Sequence, residues 1–483
     1  MRRIGWWVAL WSSVSCGWIG STAPEGSDEA EEAVPFGPRP RARKARLAET
    51  APVEGVSRSA REPLTPHATV AGLPKGTPAT VVLVVLDTVG AGHLQVCGYE
   101  RPTSPVLATM NRLGGSLTCN AYSPATWTLP SHATYFTGQP TSEHDLHRKG
   151  LRLPDASLTL AEIFEQRGYQ TVLLSANPVL KAETGLQQGF QRTIVSNGLV
   201  GPLRGEGLSK ALRAELSSLD KARPLFLVLN VFEAHEPYAP IPPGVGWVPE
   251  RPPTHFDSKD RTDANPYFAF IQGTMSEEAK QTWLSQVVDT YDFGVALADR
   301  SAGRALKLLE QGGWIDHGAR VVVTSDHGEH LGEHGLVRHD GPPWEGVVRV
   351  PFLYVDTLRG EPLPLPEPFA AANLFSLLTT GELPSPVITP SAVSVRYGKP
   401  DKRYVDAVAT WPAVGEKLVW MFEEFRRFDL KADPGELAPI VVEEGLEGLK
   451  AAVEAQRASK ERALGREVEP GVEGMLEGLG YVE

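Results

Sequence analysis

Two stretches of the chain carry side chains able to hold a cation. In "TSDHGEHLGEHG", which follows the run "ARVVV", Asp326 and His327 stand side by side, and Gly328 lets the backbone turn sharply behind them. An adjacent Asp and His can both reach one ion from a loop. Their mixed oxygen and nitrogen donors suit Zn²⁺ or Mn²⁺ better than Ca²⁺, whose sites are built from oxygen. In "ATVVLVVLD", residues 79 to 87, Asp87 closes another apolar run. A carboxylate at the end of a buried strand is costly to desolvate and calls for a cation, a helix terminus or a metal. Taken singly, Asp87 reads as a helix-capping turn residue and Asp326 with His327 as a solvated turn. Taken together they read as one site for one divalent ion.

Such residues meet only if the elements that carry them share an edge. The run at 79 to 87 is continuously apolar rather than alternating, the mark of a strand covered on both faces. "SLTLAEIFEQRGY" reads as a helix, "QTVLLSAN" and "PLFLVLNVFEAH" as strands, residues 281 to 312 as a long helix, and "ARVVVTSDHGE" as a further strand. Strands alternating with helices predict an α/β fold, a layered sheet with helices on both faces. Ligands bind such sheets beyond the carboxyl ends of the strands. Three apolar runs lead there into polar residues: Asp87, Glu233 with His235, and Asp326 with His327. After about residue 355 the pattern weakens. A short hairpin and loop within "EKLVWMFEEFRRFDLKADPGELAPI", then a helix near 442 to 465, predict a small C-terminal α+β subdomain.

The remaining features bound the setting. The chain has 483 residues, 41% of them hydrophobic, enough for a large core. Lys and Arg total 47 against 59 Asp and Glu, a formal charge of −12, which argues against general attraction to nucleic acid. An anionic substrate must then be captured by a local cluster of cations. "MRRIGWWVALWSSVSCGWIG", residues 1 to 20, has the layout of an export signal, and Ser13, Ser15 and Cys16 leave open a lipoprotein site, simple secretion or an uncleaved anchor. The expected location is the periplasm or cell envelope, with membrane contact only through such an anchor. Residues 21 to 77, with "EGSDEAEEA" and "RPRARKAR" and few large apolar side chains, read as a disordered linker. Residues 78 to 355 form the expected catalytic core and 356 to 483 the C-terminal part. Cys97 and Cys119 either pair in an oxidising compartment or remain two half-buried thiols.

Several motifs in order, "VVLDTVGAGHL", "GYERPTSP", "TLPSHATYFTG", "FEAHEPY", "YDFGVALADR", "TSDHGEHLGEHG", "RVPF", "FDLKADPGEL" and the terminal "LGYVE", resemble the sulfatase branch of the alkaline phosphatase superfamily over residues 79 to 483. The resemblance implies a three-layer α/β/α sandwich around a large, mixed, mostly parallel sheet, with a divalent metal and a nucleophile that attacks sulfate or phosphate esters. It assigns Asp87, Asp326, His327 and Thr128 to the metal. It further implies that Thr128 is the nucleophile, that His235 and His339 surround the ester, and that Lys149 and His132 lie at substrate-binding positions.

Two departures shape the expected chemistry. Thr128 and His132 stand where the sulfatase pattern C-x-P-S-R has its modified Cys or Ser and its Arg. Thr cannot be oxidised to formylglycine. A Thr hydroxyl activated by a metal is nevertheless a competent nucleophile toward phosphorus, and other superfamily members, the nucleotide phosphodiesterases and the phosphoethanolamine and glycerol-phosphate transferases, use Thr here. Pro130 suits the first turn of a helix, which would set Thr128 at a helix N-terminus that favours an anion. The expectation is a metal-dependent hydrolase or transferase of phosphate esters, diesters foremost. The alternatives are a sulfuric ester hydrolase lacking formylglycine and a non-catalytic metal-binding envelope protein. Thr88 replaces the second member of the family's frequent Asp-Asp pair, which further disfavours Ca²⁺. Gly90 and Gly92 replace an Arg and an Asp, which predicts a looser first loop.

Overall fold

The computed structural model describes residues 55–62, 67–146, 150–249, 265–339, 341–394, 406–464, 466, 471–472 and 474–475. The strands in chain order are β1 (Val56–Ala60), β2 (Thr80–Leu86), β3 (Ser116–Tyr122), β4 (Gln170–Ser175), β5 (Arg192–Ser196), β6 (Leu225–Val231), β7 (Ala319–Thr324), β8 (His330–Leu331), β9 (Val337–Arg338), β10 (Arg349–Asp356) and β11 (Phe369–Ala370). Nine of them form one sheet in the order β1-β5-β4-β6-β2-β7-β10-β3-β11, and β8 with β9 make a two-stranded ribbon. β5, β4, β6, β2 and β7 run parallel, while β10 lies antiparallel between β7 and β3. The expected mixed, mostly parallel sheet is present.

Continuous hydrophobicity follows from burial on both faces. In β2, Val82, Val84 and Leu86 pack into a cluster with Trp283, Val287, Val295 and Ala298 of the long helix Glu277–Gln311. Val81, Leu83 and Val85 pack on the other face with Leu129, Ala133 and Phe136 of the helix Thr128–Thr137. These six side chains of β2 are fully buried, each contributing about 2 kcal/mol. The long helix begins earlier than the apolar pattern indicates because Ser276 caps it and Glu277 and Glu278 occupy its first turn.

Register sets the active edge. Leu86 pairs with Val231 of β6, and Val85 with Thr324 of β7, so Asp87, residues 232–235 and residues 325–327 all emerge at the carboxyl edge of the central strands.

Three boundaries differ from the sequence reading. β1 lies inside the expected linker. Its mostly exposed "VSRSA" has no apolar stripe to reveal it, and it is held by antiparallel pairing to β5. At the other end, β10 closes the expected core at Asp356, and β11 and the helix Leu374–Thr380 add to the large core beyond it. The C-terminal unit holds more than a hairpin: β12 (Ser391–Ser394), β13 (Ala407–Ala413), β14 (Glu416–Met421), β15 (Glu424–Asp429) and β16 (Ile440–Val441) form a five-stranded antiparallel sheet. One face packs on the helix Glu447–Leu464 through Leu418, Trp420, Leu449 and Val453. The other face meets the core through Trp411, Val419, Met421 and Phe428 against Tyr122, Trp344 and Val347.

Candidate active site

Asp87, Asp326 and His327 are fully buried, and one ligand atom from each lies within 4.8 Å of the others. Asp87 immediately follows β2. Its Oδ2 accepts from Asn177 Nδ2 and Asn230 Nδ2, both at 2.8 Å. Asp326 Oδ1 accepts from the N–H groups of Thr88 and His327, at 3.2 and 3.1 Å. The second oxygens, Asp87 Oδ1 and Asp326 Oδ2, are buried with no hydrogen-bond partner. Two orphaned carboxylate oxygens facing one small space are costly to bury without a counter-charge. Burial first, and the neighbouring Asp326 second, push the Asp87 carboxyl up to about 7; burial pushes Asp326 to about 7 as well. These residues therefore fit a divalent cation. His327 donates from Nδ1 to the Gly328 carbonyl at 3.0 Å, which leaves Nε2 as the ligand nitrogen.

Thr128 is the first residue of its helix, with Trp127 as cap, and is fully buried. Its Oγ1 lies 3.3 Å from His327 Nε2 and receives Asn177 Nδ2 at 3.2 Å. The hydroxyl thus sits against His327, one of the three candidate ligands, and shares Asn177 with Asp87.

Two further histidines complete the cluster. His235 stacks on Phe232 and lies 5.3 Å, ring to ring, from His339, which lies 4.4 Å from His327. His235 donates from Nδ1 to the Glu236 carbonyl, and His339 Nδ1 meets Glu329 Oε1 at 2.9 Å. In both rings Nε2 is the nitrogen outside that bond. Burial, followed for His339 by neighbouring positive groups, holds both well below the ordinary histidine range.

His132 lies on the same helix as Thr128. It is fully buried, with Nδ1 donating to the Thr128 carbonyl at 3.0 Å and lying 3.6 Å from Asp326 Oδ2, while Nε2 faces Asn230 at 3.5 Å. Burial pushes its pKa down to about 3, so the ring is neutral. These contacts brace Thr128 and Asp326. Lys149 lies outside the described residues. Glu233, grouped by sequence with the polar strand ends, turns away from the site: its carboxylate accepts from Ser301 Oγ, Gly205 N and Phe232 N.

Sequence reasoning missed Asn177, Asn230 and Glu329. Asn230 had a signal, as the lone polar residue inside "LFLVLNVF", and Asn177 lies just past an apolar run as Asp87 does. The first loop is also tied rather than loose. Gly90 N donates to Tyr291 Oη at 2.9 Å while that hydroxyl donates to the Thr88 carbonyl at 2.7 Å. Thr88 holds φ 61°, a left-handed conformation that a β-branched residue adopts only under constraint from its surroundings. Gly328 is required by close approach, since a Cβ there would lie 2.3 Å from the Gly346 carbonyl oxygen.

The family model for sulfatase matches residues 79–361. The chain belongs to the sulfatase family. The sulfatase-family core also shares its fold with solved structures at 16% identity. One, BT4656 in complex with its substrate D-glucosamine-2-N,6-O-disulfate, has a TM-score of 0.58 over 82% of this chain and 100% of that one. A phosphonate monoester hydrolase of Agrobacterium radiobacter, also 16% identical, gives 0.57 over 80% and 96%. BT1596, a 2-O GAG sulfatase, is 16% identical and gives 0.56 over 82% and 96%. The alkaline phosphatase-like architecture and a sulfatase-family hydrolase follow, with an Asp/Asp/His group fit for a metal.

Proposed function

We propose that this hydrolase cleaves phosphate esters, diesters foremost, with Thr128 as nucleophile. The observation that carries the reading is Thr128 Oγ1 at a helix N-terminus, 3.3 Å from His327 Nε2 and 3.2 Å from Asn177 Nδ2, beside two unanswered carboxylate oxygens. A divalent cation, Zn²⁺ or Mn²⁺ by the donor set, would be held by Asp87, Asp326 and His327, and when bound supplies positive charge to the ester and favours ionisation of the threonine hydroxyl.

The chain's own groups divide the remaining work. Asp326 takes the hydroxyl proton: its Oδ2 has no hydrogen-bond partner and lies 3.5 Å from the same His327 Nε2 that Thr128 Oγ1 approaches. Attack forms the Thr128 O–P bond and breaks the bond to the leaving oxygen, and water or an acceptor alcohol then discharges the phosphothreonine. Asn177 Nδ2, already pointing at Thr128 Oγ1, is a donor for a non-bridging oxygen. His235 and His339 rest neutral, and an anionic ester among the rings is the charge that favours their protonation at Nε2. In that form they stabilise the transition state and return a proton to the leaving group.

Sulfate ester hydrolysis without formylglycine is the second reading, favoured by the sulfated substrate and sulfatase among the structural neighbours. Parallel assays on 4-nitrophenyl sulfate and bis(4-nitrophenyl) phosphate separate the two. We expect the phosphodiester to be preferred; a large preference for sulfate overturns the phosphoryl reading. Thr128→Ala should lower phosphodiester turnover at least about 1,000-fold while metal content stays near stoichiometric. Wild-type rates in that variant would remove Thr128 from the mechanism. Export to the cell envelope forms part of the same reading. The N-terminal layout and the bond between Cys97 and Cys119 support it, since disulfides persist in oxidising compartments.

A further inference from the structure

A fully buried lysine lies outside the site. Lys417, on β14 of the C-terminal sheet, is 0% exposed, and its Nζ donates to Glu436 Oε1 at 2.6 Å and to the Pro343 carbonyl at 2.5 Å. It also lies 3.4 Å from Glu345 Oε1 and near the rings of Trp411 and Trp344, at 5.1 and 5.8 Å. Glu436 Oε2 accepts the backbone N–H of Glu345 at 2.7 Å, and Trp411 Nε1 donates to Glu345 Oε1 at 2.9 Å. Lys417, Glu436 and Trp411 belong to the C-terminal sheet or its following loop. Among the described residues, every acceptor or donor they grip across the boundary belongs to residues 343–345 of the core.

That gripped segment reaches the site directly. It begins shortly after His339 and leads into Gly346 and Val347. Gly328, next to His327, donates its N–H to the Val347 carbonyl at 2.5 Å. The Gly346 carbonyl is so close to Gly328 and Gly90 that a Cβ at either would lie 2.3 or 3.1 Å from its oxygen. The same sheet also touches the nucleophile loop. β12 pairs with it through an Ala125–Val393 bridge, with Val393 N donating to the Pro124 carbonyl at 3.0 Å and Thr126 N to the Val393 carbonyl at 3.3 Å. Thr128 follows two residues later.

We propose that the C-terminal sheet is a positioning element of the active site, in which Lys417 and Glu436 hold segment 342–348 and through it set the seat of His327 and His339. Burying a lysine and a carboxylate together is a poor route to stability, because desolvation offsets most of their attraction. Its use here is geometric. The charged pair has one arrangement that satisfies it, and that arrangement fixes the backbone of residues 343 and 345. Lys417 acts through that backbone and touches no reacting atom.

The inference rests on the proposed phosphodiesterase reading for its kinetic arm alone. The full-length protein is studied as wild type and as K417M/E436Q, which removes both charges and leaves no lone buried ion. Three quantities are read: the thermal midpoint, the Mn²⁺ dissociation constant of the metal-free protein by calorimetric titration, and kcat and KM on bis(4-nitrophenyl) phosphate. A positioning role predicts a midpoint within a few degrees of wild type and KM within about twofold, with kcat down and the Mn²⁺ dissociation constant up by about 10-fold or more, the size expected for outer-shell supports. A folded double variant with unchanged kcat and unchanged Mn²⁺ affinity overturns the proposal. Should that variant fail to fold, Trp411→Phe decides, since it keeps the ring stacked on Tyr122 and removes only the bond to Glu345. A loss of about 3-fold or more in kcat or Mn²⁺ affinity supports the proposal, and wild-type values overturn it. A wild-type protein that binds Mn²⁺ but turns over no phosphodiester sinks the proposed function, and the Mn²⁺ arm still judges this inference.

Discussion

Replacing Asp87 by Asn should stabilise the metal-free protein while abolishing its ability to hold the metal. In the folded, metal-free chain the Asp87 carboxyl is pushed from its usual 3.8 to about 7, by burial first and by Asp326 second. A carboxyl with a raised folded pKa binds its proton more tightly folded than unfolded. Its contribution is therefore fully present below pH 3.8 and is lost as pH rises toward 7. A shift of about 3 units at about 1.4 kcal/mol each sets a ceiling of roughly 4 kcal/mol on that loss above pH 7. Since Asp326 titrates in the same range beside it, about 1 to 4 kcal/mol is expected. Asparagine carries no charge, its oxygen can still accept from Asn177 and Asn230, and its amide can donate toward the orphaned Asp326 Oδ2. At roughly 2 °C per kcal/mol, the EDTA-treated variant should melt about 2 to 8 °C above EDTA-treated wild type at pH 8, with the gap closing toward pH 4. Adding Mn²⁺ should raise the wild-type midpoint and leave the variant unmoved. Scanning calorimetry at both pH values checks this. A metal-free variant that melts below wild type at pH 8, or a gap independent of pH, would refute the reasoning.

Other outcomes follow from the same geometry. Asn177→Ala removes the donor shared by Asp87 and Thr128 and should cut kcat about 100-fold, a magnitude typical of a lost transition-state donor, measured by steady-state kinetics on a phosphodiester. Replacing Cys97 and Cys119 together by Ser opens a link spanning 22 residues and should cost about 3 kcal/mol, read from urea denaturation, with little change in KM because neither sulfur touches the site. Thr128→Ser should retain measurable phosphodiester turnover where Thr128→Ala does not, since the hydroxyl and its helix N-terminus are kept; equal loss in both would implicate the methyl group and the packing around it.

Composition and local pattern on their own established the sheet's central strands, because a strand covered on both faces must be apolar at every position, as Val81 through Leu86 are. They also singled out Asp87, Asp326 and His327, since a carboxylate or imidazole at the end of such a run has no local reason to be there. Local pattern was silent wherever a side chain's meaning depends on what lies across from it. His132 gains its bond to Asn230 only once the helix docks on the sheet. Glu233 follows an apolar run as Asp87 does, yet it points to Ser301. β1 and β12 are too short and too mixed in character to announce themselves, and exist because a partner strand was waiting. Asn177, Asn230 and Lys417 gain their roles only through parallel register and the docking of one sheet on another. Chain neighbours encode burial and turn, but only the folded arrangement decides which polar groups, tens or hundreds of residues apart, share one desolvated space.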